Sequence, residues 1–194
     1  MGEEPLFFYS KELVDESNKK GFQTINKEKD LANKATVVNI IQTKSPNFIM
    51  FNGHGNPNLI CGHNNEKLIE LGKNHDLLKN RIIYSLSCSS AAQLGKAVAD
   101  ENTVFVGYTG EFALGMDKRY QSSIHRDEGA KLFLEPSNIL VKSILKGNKV
   151  KEAVTKAKEL MKKNISLLRT NPPSIEAQDY LPYLFNNCIC LANF

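Results

Sequence analysis

Three short apolar segments constrain the fold of this 194-residue chain more than any other feature of its sequence. They are Asn47–Phe51 (NFIMF), Arg81–Leu86 (RIIYSL) and Asn102–Tyr108 (NTVFVGY). A run of about five residues that is apolar at nearly every position is typical of a strand buried on both faces, as in a parallel sheet covered by helices. Because helical patterns alternate with these strands, the sequence predicts an α/β fold with a mainly parallel central sheet and helices on both faces.

The other segments are assigned from their local patterns. The apolar run Leu6–Tyr9 and the alternating stretch Phe22–Asn26 each predict a strand, and two short runs on either side of Asn64-Asn65 predict a hairpin. Helices are predicted over Lys11–Lys20, Lys27–Gln42, Asn74–Asn80, Ser89–Asp100, Arg126–Lys146 with a break at Pro136, Lys149–Arg169, and Ser174–Asn186 with Ser174 as its cap. A chain of this length suits one domain, so we expect a single domain over residues 1–194, with the C-terminal helices of about 126–187 packed on the sheet.

The composition argues against several classes of protein. Lys and Arg number 25 and Asp and Glu number 21, for a formal charge of +4. The basic residues spread along predicted helices such as Lys149–Lys163, so the charge does not favour nucleic-acid binding. No run approaches the roughly 18 apolar residues of a membrane span, and the N-terminal MGEEPLFFYS lacks the pattern of a signal peptide. We therefore expect a cytoplasmic protein that binds neither nucleic acid nor membranes.

The cysteine and histidine spacings do not indicate a metal site. The chain contains four cysteines, which are Cys61, Cys88, Cys188 and Cys190. They form no C-x-x-C pair, and His63 and His75 lie at spacings that match no standard zinc pattern. No G-x-G-x-x-G or Walker A motif occurs, so neither a metal nor a cofactor is expected. Without a secretory signal the thiols are expected to be reduced, which leaves each cysteine as a small core residue or a reactive nucleophile.

Two of the predicted buried strands end in residues that can carry chemistry. His54 follows the first strand and is flanked by Gly53 and Gly55, and Cys88 follows the second strand. The carboxyl ends of parallel strands meet at one edge of a sheet, which is where α/β proteins place their sites. A thiol just before the N-terminus of the predicted helix over Ser89–Asp100 would also be favoured as a thiolate. The pair predicts a Cys–His dyad for nucleophilic acyl transfer.

The residues around this pair resemble the motifs of a known family. Phe51–Gly55 (FNGHG) resembles the strand-end His-Gly motif of the caspase-like cysteine peptidases of clan CD, and Ser85–Ser90 (SLSCSS) resembles the motif in which the nucleophile ends the next core strand. Gly147–Val154 (GNKVKEAV) is similar to the G-x-x-V-x-E-A segment of gingipain and CHAT relatives, and Gly107-Tyr108 fits a third strand-end element. The resemblance covers roughly Leu6 to Lys163. It implies a caspase-like three-layer sandwich.

The resemblance also implies roles for individual residues. Cys88 would be the nucleophile of a thiol protease, and His54 the general acid and base that protonates the leaving amine. The backbone N–H groups of Gly55 and Cys88 would form the oxyanion hole. The Q-A-C-x-G signature of caspases is absent, and the distance from His to Cys is shorter than the roughly 50 residues of caspases. The chain is therefore closer to the CHAT and gingipain branch.

The segment Thr109–His125 is predicted to be a long loop, and in this family such a loop helps to shape the pocket for the residue before the scissile bond. Glu111 and Asp117 lie in it and favour cleavage after Arg or Lys, because a carboxylate pairs with a basic side chain. Basic residues also lie in or next to this loop, so the sequence leaves open whether the net charge of the pocket is negative or positive. These residues are Lys118, Arg119 and Arg126.

Two other functions stay open at this point. The first is a catalytically silent caspase-like module that binds a partner protein, which the presence of both His54 and Cys88 disfavours. The second is an acyl-transfer or hydrolase enzyme on the same fold that does not cleave proteins. For the endopeptidase, the expected ligand is a protein or peptide substrate, while a regulatory partner, a sensor domain and a homodimer are left open.

Overall fold

The computed structural model describes residues 4–120, 123–173 and 176–194. Within these ranges the protein is mixed α/β and divides into two compact units. The sheet unit comprises residues 25–112 and 190–194, and the helical unit comprises residues 113–189 together with the N-terminal segment up to Thr24. None of the helices in the described ranges is long and apolar enough to cross a membrane. The predicted helix cap Ser174 lies outside the described residues.

The described residues form the following elements. The strands are β1 (Phe48–Asn52), β2 (Gly55–Asn56), β3 (Leu59–Cys61), β4 (Lys67–Glu70), β5 (Ile82–Leu86), β6 (Val104–Tyr108) and β7 (Leu191–Asn193). The α-helices are α1 (Glu4–Lys19), α2 (Lys34–Lys44), α3 (Leu94–Val98), α4 (Glu128–Leu145), α5 (Val150–Thr170) and α6 (Leu181–Cys190). Short 3-10 helices span Lys29–Leu31, His63–Asn65, His75–Leu78, Lys118–Tyr120, Ile124–Arg126 and Glu176–Tyr180.

The main sheet has the strand order β1-β5-β6-β7, in which β1, β5 and β6 are parallel and β7 is antiparallel to β6. These parallel strands are the three apolar segments, so the prediction of a mainly parallel sheet is confirmed. Ile83, Tyr84, Phe105 and Val106 are fully buried, which shows that adjacent side chains on both faces of β5 and β6 are covered. Burial on both faces is why these segments lack polar alternation.

The predicted hairpin is also confirmed as part of a separate antiparallel sheet, in the order β2-β3-β4. Asn64 and Asn65 lie in its turn with left-handed backbone angles, φ 53° and 60°. Asparagine tolerates this conformation better than most residues because its short side chain bonds locally to the backbone. Ile60 and Ile69 point into the core of the sheet unit, where Ile83 and Leu94 join them.

Two predicted strands are wrong. Leu6–Tyr9 belongs to helix α1, and Phe22–Asn26 has no regular structure. A four-residue apolar run does not by itself distinguish a strand from a helix. Contacts with α4 stabilise the helical conformation, since the Asn138 amide donates to the Tyr9 carbonyl at 2.9 Å and Lys142 forms a 2.6 Å ion pair with Glu12.

The helix predicted over Lys27–Gln42 begins later, at Lys34, after the 3-10 turn at Lys29–Leu31. Asn33 sets this start, because its side chain accepts a hydrogen bond from the Thr36 N–H at 2.9 Å. Such a cap satisfies one of the N–H groups that the first turn leaves without a helical partner. The long helix predicted over Lys149–Arg169 is confirmed as α5.

Helix α4 runs through Pro136 without a break, so the predicted break is wrong. Proline has no N–H, and the carbonyl of Leu132 therefore lacks its usual helical donor. The buried Asn164 side chain of α5 supplies that donor, because its amide nitrogen lies 2.9 Å from the Leu132 oxygen. A side chain on the neighbouring helix thus offsets much of the free-energy cost of a proline inside a helix.

This contact predicts a stability effect. Replacing Asn164 with alanine is expected to lower the free energy of unfolding by about 1–3 kcal/mol, because a buried carbonyl loses its partner. In a Pro136→Ala background the N–H of residue 136 can donate to Leu132 instead, and the same change should cost less. Urea titrations of the two single variants and the double variant measure the difference. Equal costs in both backgrounds would contradict this role of Asn164.

Candidate active site

The register of the parallel strands brings the His54 and Cys88 loops to the same edge of the sheet. β1 and β5 pair up to Asn52 opposite Leu86, so each candidate residue lies two positions beyond the last pair. The pairing also continues past the strands, because the Gly53 N–H donates to the Leu86 carbonyl at 3.2 Å. The two loops therefore leave the sheet side by side.

Gly55 and Ser87 are in direct contact, and they are the neighbours of His54 and Cys88 in the sequence. A Cβ atom placed on Gly55 would lie 2.8 Å from Ser87 Oγ and 3.0 Å from Ser87 Cβ. Only a glycine allows so close an approach of the two loops. Ser87 is itself buried, with 1% of its surface exposed, and its hydroxyl shares a 2.7 Å hydrogen bond with that of Ser85.

The backbone of Cys88 lies in a sharp turn that is bonded to the segment after β6. Ser89 has a left-handed conformation with φ 54°, which is uncommon for a residue with a side chain. Its N–H donates to the Gly110 carbonyl at 2.8 Å. The Cys88 thiol is partly exposed and donates to the Phe112 carbonyl, with a sulfur–oxygen distance of 3.6 Å.

This turn corrects the helix predicted over Ser89–Asp100. Turns occupy the chain from Cys88 to Gln93, and the α-helix α3 begins only at Leu94 and has five residues. The left-handed Ser89 cannot itself belong to a right-handed helix. Cys88 therefore does not adjoin a helix N-terminus. The predicted electrostatic effect of a helix dipole on this thiol has no basis in the structure.

His54 is held through its backbone while its imidazole is exposed. The Cys61 N–H donates to the His54 carbonyl at 2.9 Å, and Gly55 is then paired with Ile60 in the β2–β3 hairpin. In an antiparallel ladder, hydrogen-bonded and non-hydrogen-bonded pairs alternate, so the Gly55 N–H points away from β3. An oxyanion donor requires an N–H that the hairpin does not use.

The two residues predicted for the specificity pocket have different surroundings. Glu111 is exposed in the sheet unit and directly precedes Phe112, whose carbonyl contacts the Cys88 thiol. Asp117 belongs to the helical unit and forms an ion pair with Arg119 at 2.6 Å. Hydrogen bonds from Arg119 lower the pKa of Asp117 below its usual value. Its charge is therefore already compensated within its own segment.

His63 and His75, the two other histidines of the sheet unit, have local partners. His63 Nε2 lies 3.0 Å from a carboxylate oxygen of Asp30, and His75 Nδ1 accepts a hydrogen bond from the Gly72 N–H at 3.2 Å. Among the residues that the structure describes, no group of three His, Cys, Asp or Glu side chains is arranged to hold a metal ion.

Ser87 and Ser89 lie in the SLSCSS segment and Phe112 in the predicted loop over Thr109–His125, but the sequence did not indicate a contact or a role for any of the three. The spacing of Ser85 and Ser87 at the end of β5 was a usable signal, because residues two apart in an extended chain share a face. The left-handed Ser89 has no such signal, since serine shows no strong preference for that conformation. The Phe112 carbonyl is a backbone group, and only the path of the chain brings it to Cys88.

Comparison of the chain with protein-family models, with curated proteins and with solved structures found no match in any of the three.

Proposed function

We propose that the protein is a cysteine endopeptidase in which Cys88 and His54 form a catalytic dyad. The observation that carries the proposal is the contact of the two loops through Gly55 and Ser87, together with a partly exposed thiol on one loop and an exposed imidazole on the other. A nucleophile and a base on adjacent loops are what acyl transfer requires. The parallel sheet also supports a caspase-like three-layer sandwich, which is the finer fold that we propose.

The reaction would proceed in two stages. In the first, His54 takes the proton of the Cys88 thiol, and the sulfur forms a bond to the carbonyl carbon of the scissile peptide. The C–N bond then breaks, and His54 gives the proton to the leaving amine. In the second stage His54 takes a proton from water, the hydroxide displaces the sulfur from the acyl group, and the thiol is restored. The N–H groups of Gly55 and Cys88 would bind the oxyanion in both stages.

The test compares the reactivity of the thiols with peptide cleavage in the same preparation. Under limiting iodoacetamide we expect Cys88 to be alkylated first, because burial raises the pKa of the Cys61 thiol and Cys188 is buried. Mass spectrometry maps the adduct, and fluorogenic peptides measure cleavage before and after alkylation. Loss of cleavage in proportion to Cys88 alkylation would support the dyad. First labelling of Cys61 or Cys188, or cleavage that survives full alkylation, would overturn it.

A basic residue before the scissile bond is the substrate preference that we propose. Glu111 is the residue that supports it, because it is exposed and directly precedes Phe112, whose carbonyl contacts the Cys88 thiol. A carboxylate pairs with a guanidinium or ammonium group and rejects an acidic side chain.

The Glu111→Gln variant tests this preference. Loss of a charged hydrogen bond is expected to lower kcat/KM for peptides with Arg before the scissile bond by about tenfold or more, and to leave peptides with an uncharged residue there nearly unaffected. Glu101→Gln removes another exposed carboxylate of the sheet unit and serves as the control. A positional-scanning library compares all residues at this position. Preferred cleavage after Asp or an apolar residue, or equal losses in both variants, would contradict the assignment.

A further inference from the structure

Ser87 occupies the space in which a side chain of residue 55 would lie. Glycine is conformationally free, but Gly55 does not use that freedom, because it lies in β2 and is not among the glycines with positive φ in the described residues. An alanine could adopt the same backbone angles. Glycine is needed here only for space, since a Cβ would overlap Ser87 Oγ at 2.8 Å and would lie 3.0 Å from the Leu59 carbonyl oxygen.

A hydrogen bond to a residue of the main sheet holds the Ser87 side chain. Its hydroxyl bonds to Ser85 Oγ at 2.7 Å, and Ser85 is fully buried in the middle of the parallel sheet, opposite Phe51 on β1 and Gly107 on β6. Ser87 is therefore hydrogen-bonded to a fully buried residue of the sheet. The Gly55 backbone lies so close to the Ser87 hydroxyl that a Cβ atom on residue 55 would overlap it.

We infer that Ser87 is a positioning residue that sets the separation of the His54 and Cys88 loops by contact with Gly55. The inference rests on the proposed dyad. One side chain would fix both the imidazole loop and the Gly55 N–H relative to the nucleophile, because His54 and Gly55 are consecutive and Cys88 follows Ser87 directly. A displacement of about 1 Å between reacting groups can lower a rate about a hundredfold, so this contact would control activity without touching the substrate.

The experiment uses Gly55→Ala, Ser87→Gly and the double variant in the full-length protein. Alanine keeps the N–H of residue 55, so the change moves the loop without removing the proposed oxyanion donor. We expect Gly55→Ala to lower kcat for peptide cleavage about a hundredfold, and to slow alkylation of Cys88 to the rate of a His54→Ala variant. Ser87→Gly removes both overlapping atoms, so the double variant should recover a large part of both rates. The Leu59 carbonyl still limits full recovery.

Gly95→Ala is the matched control. A Cβ on Gly95 would lie 2.6 Å from the ring of Phe105, so this variant carries a similar overlap in the same unit at a different place. It is expected to lower the melting temperature but to keep the pH dependence of Cys88 alkylation. Melting curves of all variants show which losses come from unfolding.

The outcomes separate the inference from the proposed function. If wild type and His54→Ala alkylate at the same rate, the dyad itself is wrong. If the dyad holds, and Gly55→Ala matches wild type in kcat and alkylation, then Ser87 does not position the loops. A double variant that is as slow as Gly55→Ala, or slower, would also overturn the inference, because relief of the overlap would then have no effect.

Discussion

Replacement of Cys88 by alanine is expected to lower kcat for peptide cleavage by about four to six orders of magnitude, to the rate of the reaction without a nucleophile. The sulfur forms the bond to the substrate in the proposed mechanism, and alanine has no atom that can replace it. The side chain is partly exposed and makes a weak hydrogen bond to the Phe112 carbonyl. We therefore expect the melting temperature to change little.

Cys61→Ala is the matched control for this change. Cys61 is a partly buried thiol of the same unit and lies on β3, next to the His54 loop in the hairpin. Steady-state assays with a fluorogenic peptide should give it a kcat within a few fold of wild type. Activity that persists in Cys88→Ala and disappears in Cys61→Ala would show that the nucleophile is Cys61 and that the assignment to Cys88 is wrong.

The second large effect is expected at His54. His54→Ala should lower kcat/KM by about 10²- to 10⁴-fold, which is the usual contribution of a general acid and base. The pH dependence of the rate should also change, because a group that transfers protons is removed from the reaction. Because the ring is exposed, stability should be nearly unchanged.

His125→Ala provides the comparison, since His125 is an exposed histidine of the helical unit that the mechanism does not use. Its kcat/KM and pH profile should match those of the wild type. Rates measured from pH 5 to pH 9 with one peptide distinguish the two variants. An unaltered pH–rate profile in His54→Ala would show that His54 takes no part in the reaction. The dyad would then be wrong, and Cys88 would need a different base.

All residues of the proposed reaction lie in the sheet unit. His54 and Gly55 follow β1, Cys88 follows β5, and Glu111 follows β6, so the carboxyl ends of three parallel strands supply them. This is the edge at which α/β sheets place their sites. The topology thus explains how residues from separate loops can act on one substrate.

The sequence was sufficient to predict the sheet and the position of the candidate residues. Apolar runs such as Ile82–Leu86 contain their own signal, because a strand covered on both faces needs an apolar side chain at almost every position. The hairpin turn at Asn64-Asn65 was predictable for a similar local reason. Once the strands were known, their parallel direction placed His54 and Cys88 at the same edge of the sheet, because the carboxyl ends of parallel strands lie together.

The tertiary structure decided the features that depend on distant contacts. Leu6–Tyr9 is helical because α1 packs on α4, and α4 continues through Pro136 because Asn164 replaces the missing donor. The close approach of Gly55 and Ser87 is of the same kind, since residues far apart in the chain share space that neither local pattern describes. A local pattern reports the preferences of a segment by itself. Packing and buried hydrogen bonds outweigh those preferences, because a polar group buried without a partner costs more than the small difference between helix and strand propensities.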